Sequence, residues 1–144
     1  MTDRVFIDTN ILLYAYDLDA GSKHDVASNI VRRLWAEGTG ALSTQVLQEF
    51  YVNVTMKIAK PISPAEARAI IGRYLVWQVE VNTPESVLRA SEIQERYRLS
   101  FWDALIIAAA AKARAGILYT EDLNSGQMIE GIKIINPFSA PTSA

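Results

Sequence analysis

The chain contains no cysteine. That absence removes disulfides, thiolate zinc sites and cysteine nucleophiles at once, and it suits a reducing cytoplasm. Histidine is almost as scarce. His24 is alone, in a helix start far from any other chemical grouping, so a Ser-His-Asp triad lacks its base and His24 reads as a packing or surface residue. No Gly-rich phosphate loop and no Gly-x-Gly-x-x-Gly occurs, which excludes nucleotide-binding templates of that type. Long hydrophobic runs are missing too. The longest, Ala104 to Ala111, is far too short to span a bilayer, and Met1-Thr2-Asp3-Arg4 lacks the basic region and apolar core of a secretory signal. A cytoplasmic location without a membrane partner is the expectation.

What is present is an ordinary globular composition. Of 144 residues, 50% are hydrophobic and 21% charged. One domain of this length buries roughly two-thirds of its unfolded surface, so a real core is expected without staples. The net charge of −2 speaks against strong non-specific attraction to polyanions. If four of the 16 acids sat in one metal site, however, the remainder of the surface would be mildly basic against 14 Lys and Arg.

The chain is organised around Val5-Phe6-Ile7-Asp8-Thr9-Asn10. Val5, Phe6 and Ile7 read as a buried strand that stops at a carboxylate, and Thr9 and Asn10 are placed to cap a helix from Ile11. Asp17-Leu18-Asp19-Ala20-Gly21 resembles a calcium loop only superficially, since the glycine falls one place early and Ser28 stands where Glu is needed. Ser22 with Asp25 suggests a capping box for a helix ending at Gly38. A short strand at Ala41–Ser43 leads to a helix over 45–59, with Val46, Leu47, Phe50 and Val54 on one stripe and Glu49 on another face beside Gln45. Ser63-Pro64 and Thr83-Pro84 open two further helices, the second running to Tyr97, with a strand at 77–81 between them. Ser100 opens a helix whose body, Ala104 to Ala111, is apolar nearly all round; Gly116 is expected as its left-handed cap. Strands follow at 117–120 and 133–135, and residues 139–144 are expected to be a frayed tail. Alternating elements of these lengths give a one-domain α/β fold with a short, mainly parallel central sheet flanked by helices.

Asp8 and Asp122 end strands, while Asp103 lies in the first turn of a helix. Each alone has a bland explanation as a cap or turn residue. Together they matter, because strand ends and helix starts of a parallel sheet gather along one edge, where ligands of open α/β folds bind. Packed carboxylates raise one another's pKa unless a cation neutralises them. Carboxylates without histidine or cysteine select a hard cation such as Mg²⁺ or Mn²⁺. Glu49 is either a surface acid or one held over a partly enclosed site.

Four segments, Phe6-Ile7-Asp8-Thr9-Asn10, Gln48-Glu49-Phe50, Phe101-Trp102-Asp103-Ala104-Leu105-Ile106 and Tyr119-Thr120-Glu121-Asp122-Leu123, occur in an order and spacing that resembles PIN-domain ribonucleases. The similarity is to the toxins of VapBC toxin–antitoxin pairs, and it spans residues 1–138. It implies a single PIN-like domain with Asp8, Glu49, Asp103 and Asp122 as catalytic and metal-ligating acids around Mg²⁺ or Mn²⁺. Thr9, Asn10 and Thr120 would be supporting polar residues, and Glu121 or Asn124 could share the role of Asp122. The resemblance further implies metal-dependent endoribonuclease activity on an RNA substrate, a cognate antitoxin protein and homodimerisation. The competing expectation is a PIN-like binding module with little or no turnover. A phosphatase is disfavoured because Asp8-Thr9-Asn10 lacks an aspartate two places after the first.

Overall fold

Val5, Phe6 and Ile7 are buried in succession, the pattern of a strand covered on both faces. They form β1 (Val5–Ile7) at the middle of a six-stranded sheet in the computed structural model, which describes residues 4–139. The other strands are β2 (Gly40–Ser43), β3 (Gln78–Glu80), β4 (Ile117–Tyr119), β5 (Met128–Ile129) and β6 (Ile132–Ile135), in the order β3-β2-β1-β4-β6-β5. All neighbours pair in parallel except β5 with β6. The mainly parallel α/β fold is as expected. Beyond Ser139, the expected tail lies outside the described residues, as do Met1 to Asp3.

Six helices flank the sheet: α1 (Thr9–Tyr16), α2 (Ser22–Glu37), α3 (Thr44–Met56), α4 (Pro64–Tyr74), α5 (Pro84–Tyr97) and α6 (Phe101–Lys112). Helix α6 buries Ala104 through Ala110 without a break, which matches its lack of a polar face, and α5 packs along it. Ser63 and Thr83 make full capping boxes with Glu66 and Ser86, each followed by proline in the first turn. No helix among the described residues is long and apolar enough to cross a membrane.

Several boundaries differ from expectation. Asp8 itself, not Thr9 or Asn10, is the cap of α1. Gly21 precedes α2 with no side-chain cap bond, so Ser22 and Asp25 form no box. Helix α3 ends at Met56, three residues early. At the end of α6 the left-handed residue is Arg114 (φ 61°); Gly116 instead continues toward β4, donating its N–H to the Arg4 carbonyl. The hairpin β5–β6 was not foreseen. Its turn places Glu130 at φ 52° beside Gly131, a conformation that few non-glycine residues adopt. The Glu130 carboxylate compensates by accepting from Arg89, Arg96 (3.2 Å) and the Tyr97 hydroxyl (3.0 Å), which ties the hairpin to α5.

At the opposite edge from the strand ends, Tyr74 packs edge-on to Trp77, with ring centroids 4.8 Å apart, and Trp35 leans on both. Gly40 makes this possible. A Cβ there would lie 2.5 Å from the Trp77 ring. Gly40→Ala should therefore cost about 1–3 kcal/mol through overpacking, measured as a lower urea midpoint; an unchanged midpoint would show that the ring can step aside.

Candidate active site

The chain leaves β1 in extended backbone and turns into α1 at Asp8, whose carboxylate is 5% exposed. Its two oxygens are held separately: Oδ1 accepts from the Thr9 N–H at 2.7 Å, and Oδ2 from the Thr120 hydroxyl at 2.8 Å. Thr120 is fully buried at the end of the neighbouring β4, and its hydroxyl also accepts from the Asp122 N–H at 3.1 Å. Burial pushes the Asp8 carboxyl up to about 7. The two hydrogen bonds pull it down, whereas the charges of Asp122 and Glu49 add to the rise.

The next two residues each hold another acid. The Thr9 hydroxyl donates to Glu49 Oε1 at 2.6 Å, and Asn10 Nδ2 donates to Asp122 Oδ2 at 3.1 Å. Glu49 projects from α3 between residues one turn away on either side. Gln45 Nε2 donates to Glu49 Oε2 (3.3 Å), and Asn53 Nδ2 donates to the Glu49 carbonyl (2.7 Å). Asp103 sits in the first turn of α6, its N–H capped by Ser100 Oγ at 3.1 Å. Desolvation raises the Asp122 carboxyl, followed by the charges of Asp103, Glu121 and Glu49.

Asp8, Glu49, Asp103 and Asp122 thus line one open cavity of about 250 Å³, with Thr9 and Asn10 in its wall. Thr120 lies beneath, behind Asp8. Glu121 also reaches the wall, but its carboxylate accepts from the Tyr14 hydroxyl and from Lys23 Nζ (2.9 Å), so its charge is already paired. Asn124 is not part of the lining. His24 caps a carbonyl, that of Tyr14, and takes no part. Sequence reasoning noted Gln45 as a neighbour of Glu49 but did not foresee Asn53 and Trp102 in the wall. The i, i+4 spacing of Gln45, Glu49 and Asn53 on one helix face was the available signal for Asn53.

The donors are all carboxylate, hydroxyl and amide oxygens, a set that suits a hard divalent cation. Asn10 Oδ1 and Gln45 Oε1, both buried at this cavity, have no hydrogen-bond partner. In chemistry the site fits such an ion. In spacing it stops short, because no three acids among the described residues stand close enough to share one ion as they are. Thr9 draws Glu49, and Asn10 draws Asp122, onto neutral partners.

The Asp8 geometry has a consequence for stability. The folded carboxyl titrates near 7 and the ordinary one near 3.8, so between those values the fold retains a proton that the unfolded chain releases. Stability from this group is full below about pH 4 and lost as the pH rises through 7. In metal-free protein, Asp8→Asn should be more stable than the parent at pH 8 by up to about 4 kcal/mol, seen as a higher melting temperature, with the difference closing by pH 4. Equal melting at both pH values would show that the buried carboxylate costs nothing.

Comparison with known proteins agrees with this architecture. Three solved structures share the fold: a toxin–antitoxin complex from Klebsiella pneumoniae (TM-score 0.67, 21% identity, covering 94% of this chain and 99% of that one); VapC20 of Mycobacterium tuberculosis, described as a sarcin-ricin loop cleaving toxin (0.62, 24%, 82% and 89%); and DNA-bound VapBC from Salmonella typhimurium (0.63, 18%, 93% and 97%). No curated protein sequence matches the chain significantly. The family model of the PIN domain matches residues 5–127. With β1 through β4, α1 through α6 and the whole acid-lined cavity inside that span, the chain belongs to the PIN domain family.

Proposed function

We propose that the chain is a divalent-metal-dependent endoribonuclease and serves as the toxin of a toxin–antitoxin pair. The observation carrying this reading is the convergence of Asp8, Glu49, Asp103 and Asp122, from four separate elements, on one cavity at the carboxyl edge of a parallel sheet. Nothing in packing requires four acids there, and their mutual repulsion opposes folding.

In this reading Asp8 and Asp103 would hold Mg²⁺ or Mn²⁺ directly, and Asp122 would complete or extend the shell. The ion supplies positive charge that lowers the pKa of water and offsets charge gathering on a phosphodiester. The protein contributes orientation. The Thr9 N–H and the Thr120 hydroxyl lock Asp8 into one rotamer, and the Asn10 amide does the same for Asp122. Glu49, steadied by the Thr9 hydroxyl and the Gln45 amide, ligates or orients the attacking water. The water oxygen would bond to phosphorus as the bond to the leaving ribose oxygen breaks, the water giving up one proton and the ribose oxygen taking one up from solvent. An RNA substrate implies action in the cytoplasm. The structurally similar toxin–antitoxin complex and DNA-bound VapBC support a cognate antitoxin as partner; the homodimer rests on the resemblance to such toxins.

A binding module with negligible turnover is the second reading, favoured because no three of the acids among the described residues, although they line one cavity, stand close enough to share one ion. The two readings part on metal response. A nuclease site should gain about RT ln(1 + [L]/Kd) of stability in millimolar Mg²⁺ or Mn²⁺, seen as a higher melting temperature, whereas a module without one stays flat.

Cleavage of RNA should require added Mg²⁺ or Mn²⁺ and stop with EDTA. Thr120→Val, which removes only the hydroxyl behind Asp8, should lose roughly 10–100-fold in activity or metal affinity. Asp103→Asn should lose more than that. Undiminished turnover by Asp103→Asn would sink the assignment.

A further inference from the structure

Helix α6 buries nearly every apolar side chain it carries, with one exception. Trp102, adjacent to Asp103, is 63% exposed while lining the wall of the acid cavity. Its ring meets Phe101 edge-on at 5.2 Å. The other exposed tryptophan, Trp35, is different in kind, since it leans on Tyr74 and Trp77 in the aromatic corner. An indole left this open costs hydration free energy that a sheltered position would recover.

Its backbone, by contrast, is tied down. Gln45 Nε2 donates both to the Trp102 carbonyl (3.4 Å) and to Glu49 Oε2 (3.3 Å). Both partners are acceptors, which fixes the amide with its NH₂ toward them. One buried side chain therefore spans Glu49 and the peptide linking Trp102 to Asp103. The indole is exposed, while the backbone that carries it is held relative to two acids and its ring rests edge-on against Phe101.

The cavity wall carries Asp8, Glu49, Asp103, Glu121 and Asp122 but no lysine or arginine. The cation beside that wall, Lys23, is already paired with Glu121, so a phosphate backbone approaching the cavity meets no lysine or arginine in its lining. Affinity for a polyanion must then come largely from uncharged contacts, and base-on-aromatic stacking is the strongest of these. Stacking needs a base whose face is free, which a duplex does not offer except at its ends.

The geometry points to Trp102 as a nucleobase platform that selects unpaired RNA, seating one splayed base so that an adjoining phosphodiester lies over Asp8 and Asp103. This rests on the nuclease reading for what happens to the phosphodiester, but the platform itself is a binding claim. It is a substrate-binding residue, acting on affinity and strand preference.

The test uses the full chain carrying Asp8→Asn to slow cleavage, with Mg²⁺ present and a fluorescently labelled 12-nucleotide single-stranded RNA read by anisotropy. Adding Trp102→Ala should weaken binding roughly five- to a hundredfold, the range stacking supplies, while Trp102→Phe keeps most of it. The same RNA annealed to its complement should bind the parent weakly and be indifferent to Trp102→Ala. In the otherwise wild-type chain, Trp102→Ala should raise KM with little change in kcat. Because Trp102 is exposed, its variants should melt with their parents. Equal RNA binding by the Trp102→Ala protein overturns the platform, as does absence of measurable RNA binding by the parent or a preference for duplex. RNA binding that depends on Trp102 without any cleavage by the wild-type chain would leave the platform standing and remove the nuclease reading instead.

Discussion

A carboxylate at the end of the central strand, nearly sealed from water, is the constraint around which the cavity is built. Taking Asp8 out of solvent is costly, and only two donors offset it, one from the first turn of α1 and one from the end of β4. Those donors belong to opposite ends of the sequence. Their meeting requires β1 and β4 to be parallel neighbours in the observed register, with Ile7 opposite Tyr119. A one-residue slip would turn Thr120 to the other face of the sheet and leave the acid with a single partner.

From that anchor the other acids are placed by adjacent residues. Asp8, Thr9 and Asn10 occupy successive positions at one helix start, so their side chains fan outward by about 100° per residue. The fan reaches β4, then α3, then the loop after β4. Three short hydrogen-bonded links thus hold the wall from a single turn of backbone. The same links explain why these acids sit apart: Asp8, Glu49 and Asp122 are each satisfied by neutral donors before any cation is considered. Glu121, the rival to Asp122, is drawn aside by Lys23 and Tyr14 and so leaves the loop with one unneutralised acid facing inward.

Much of this was legible in the sequence where local chemistry decides it. The buried apolar run of β1, the capped, proline-led starts of α4 and α5, and the all-apolar body of α6 each carry their own signal, and the structure has them where expected. The carboxyl-edge location of Asp8, Asp103 and Asp122 follows from element order alone. What was hidden depends on non-local partners. Glu49 could not be assigned to a face until Thr9 and Gln45 were seen to hold it. The β5–β6 hairpin rests on Glu130 in a left-handed conformation, which its residue type argues against and which Arg89, Arg96 and Tyr97 sustain from a distant helix. That Asp8 ends the strand was legible, and its capping of α1 stood as one of two readings; the bond from the Thr9 N–H to Oδ1 shows that the acid caps the helix while facing the cavity.

The strand order also sets a schedule. During synthesis β1 emerges first, yet its partner on one side is β4, made after four-fifths of the described chain, and the strand that shields β4 is later still. Domains fold as their segments leave the ribosome. Until Thr120 emerges, Asp8 has neither its second donor nor a closed sheet around it, and Asp122 does not yet exist. A nascent or truncated chain can hold helices α1 to α6 and still possess no cavity. The acid-lined cavity of this molecule is therefore completed late, once the last fifth of the described chain has been made.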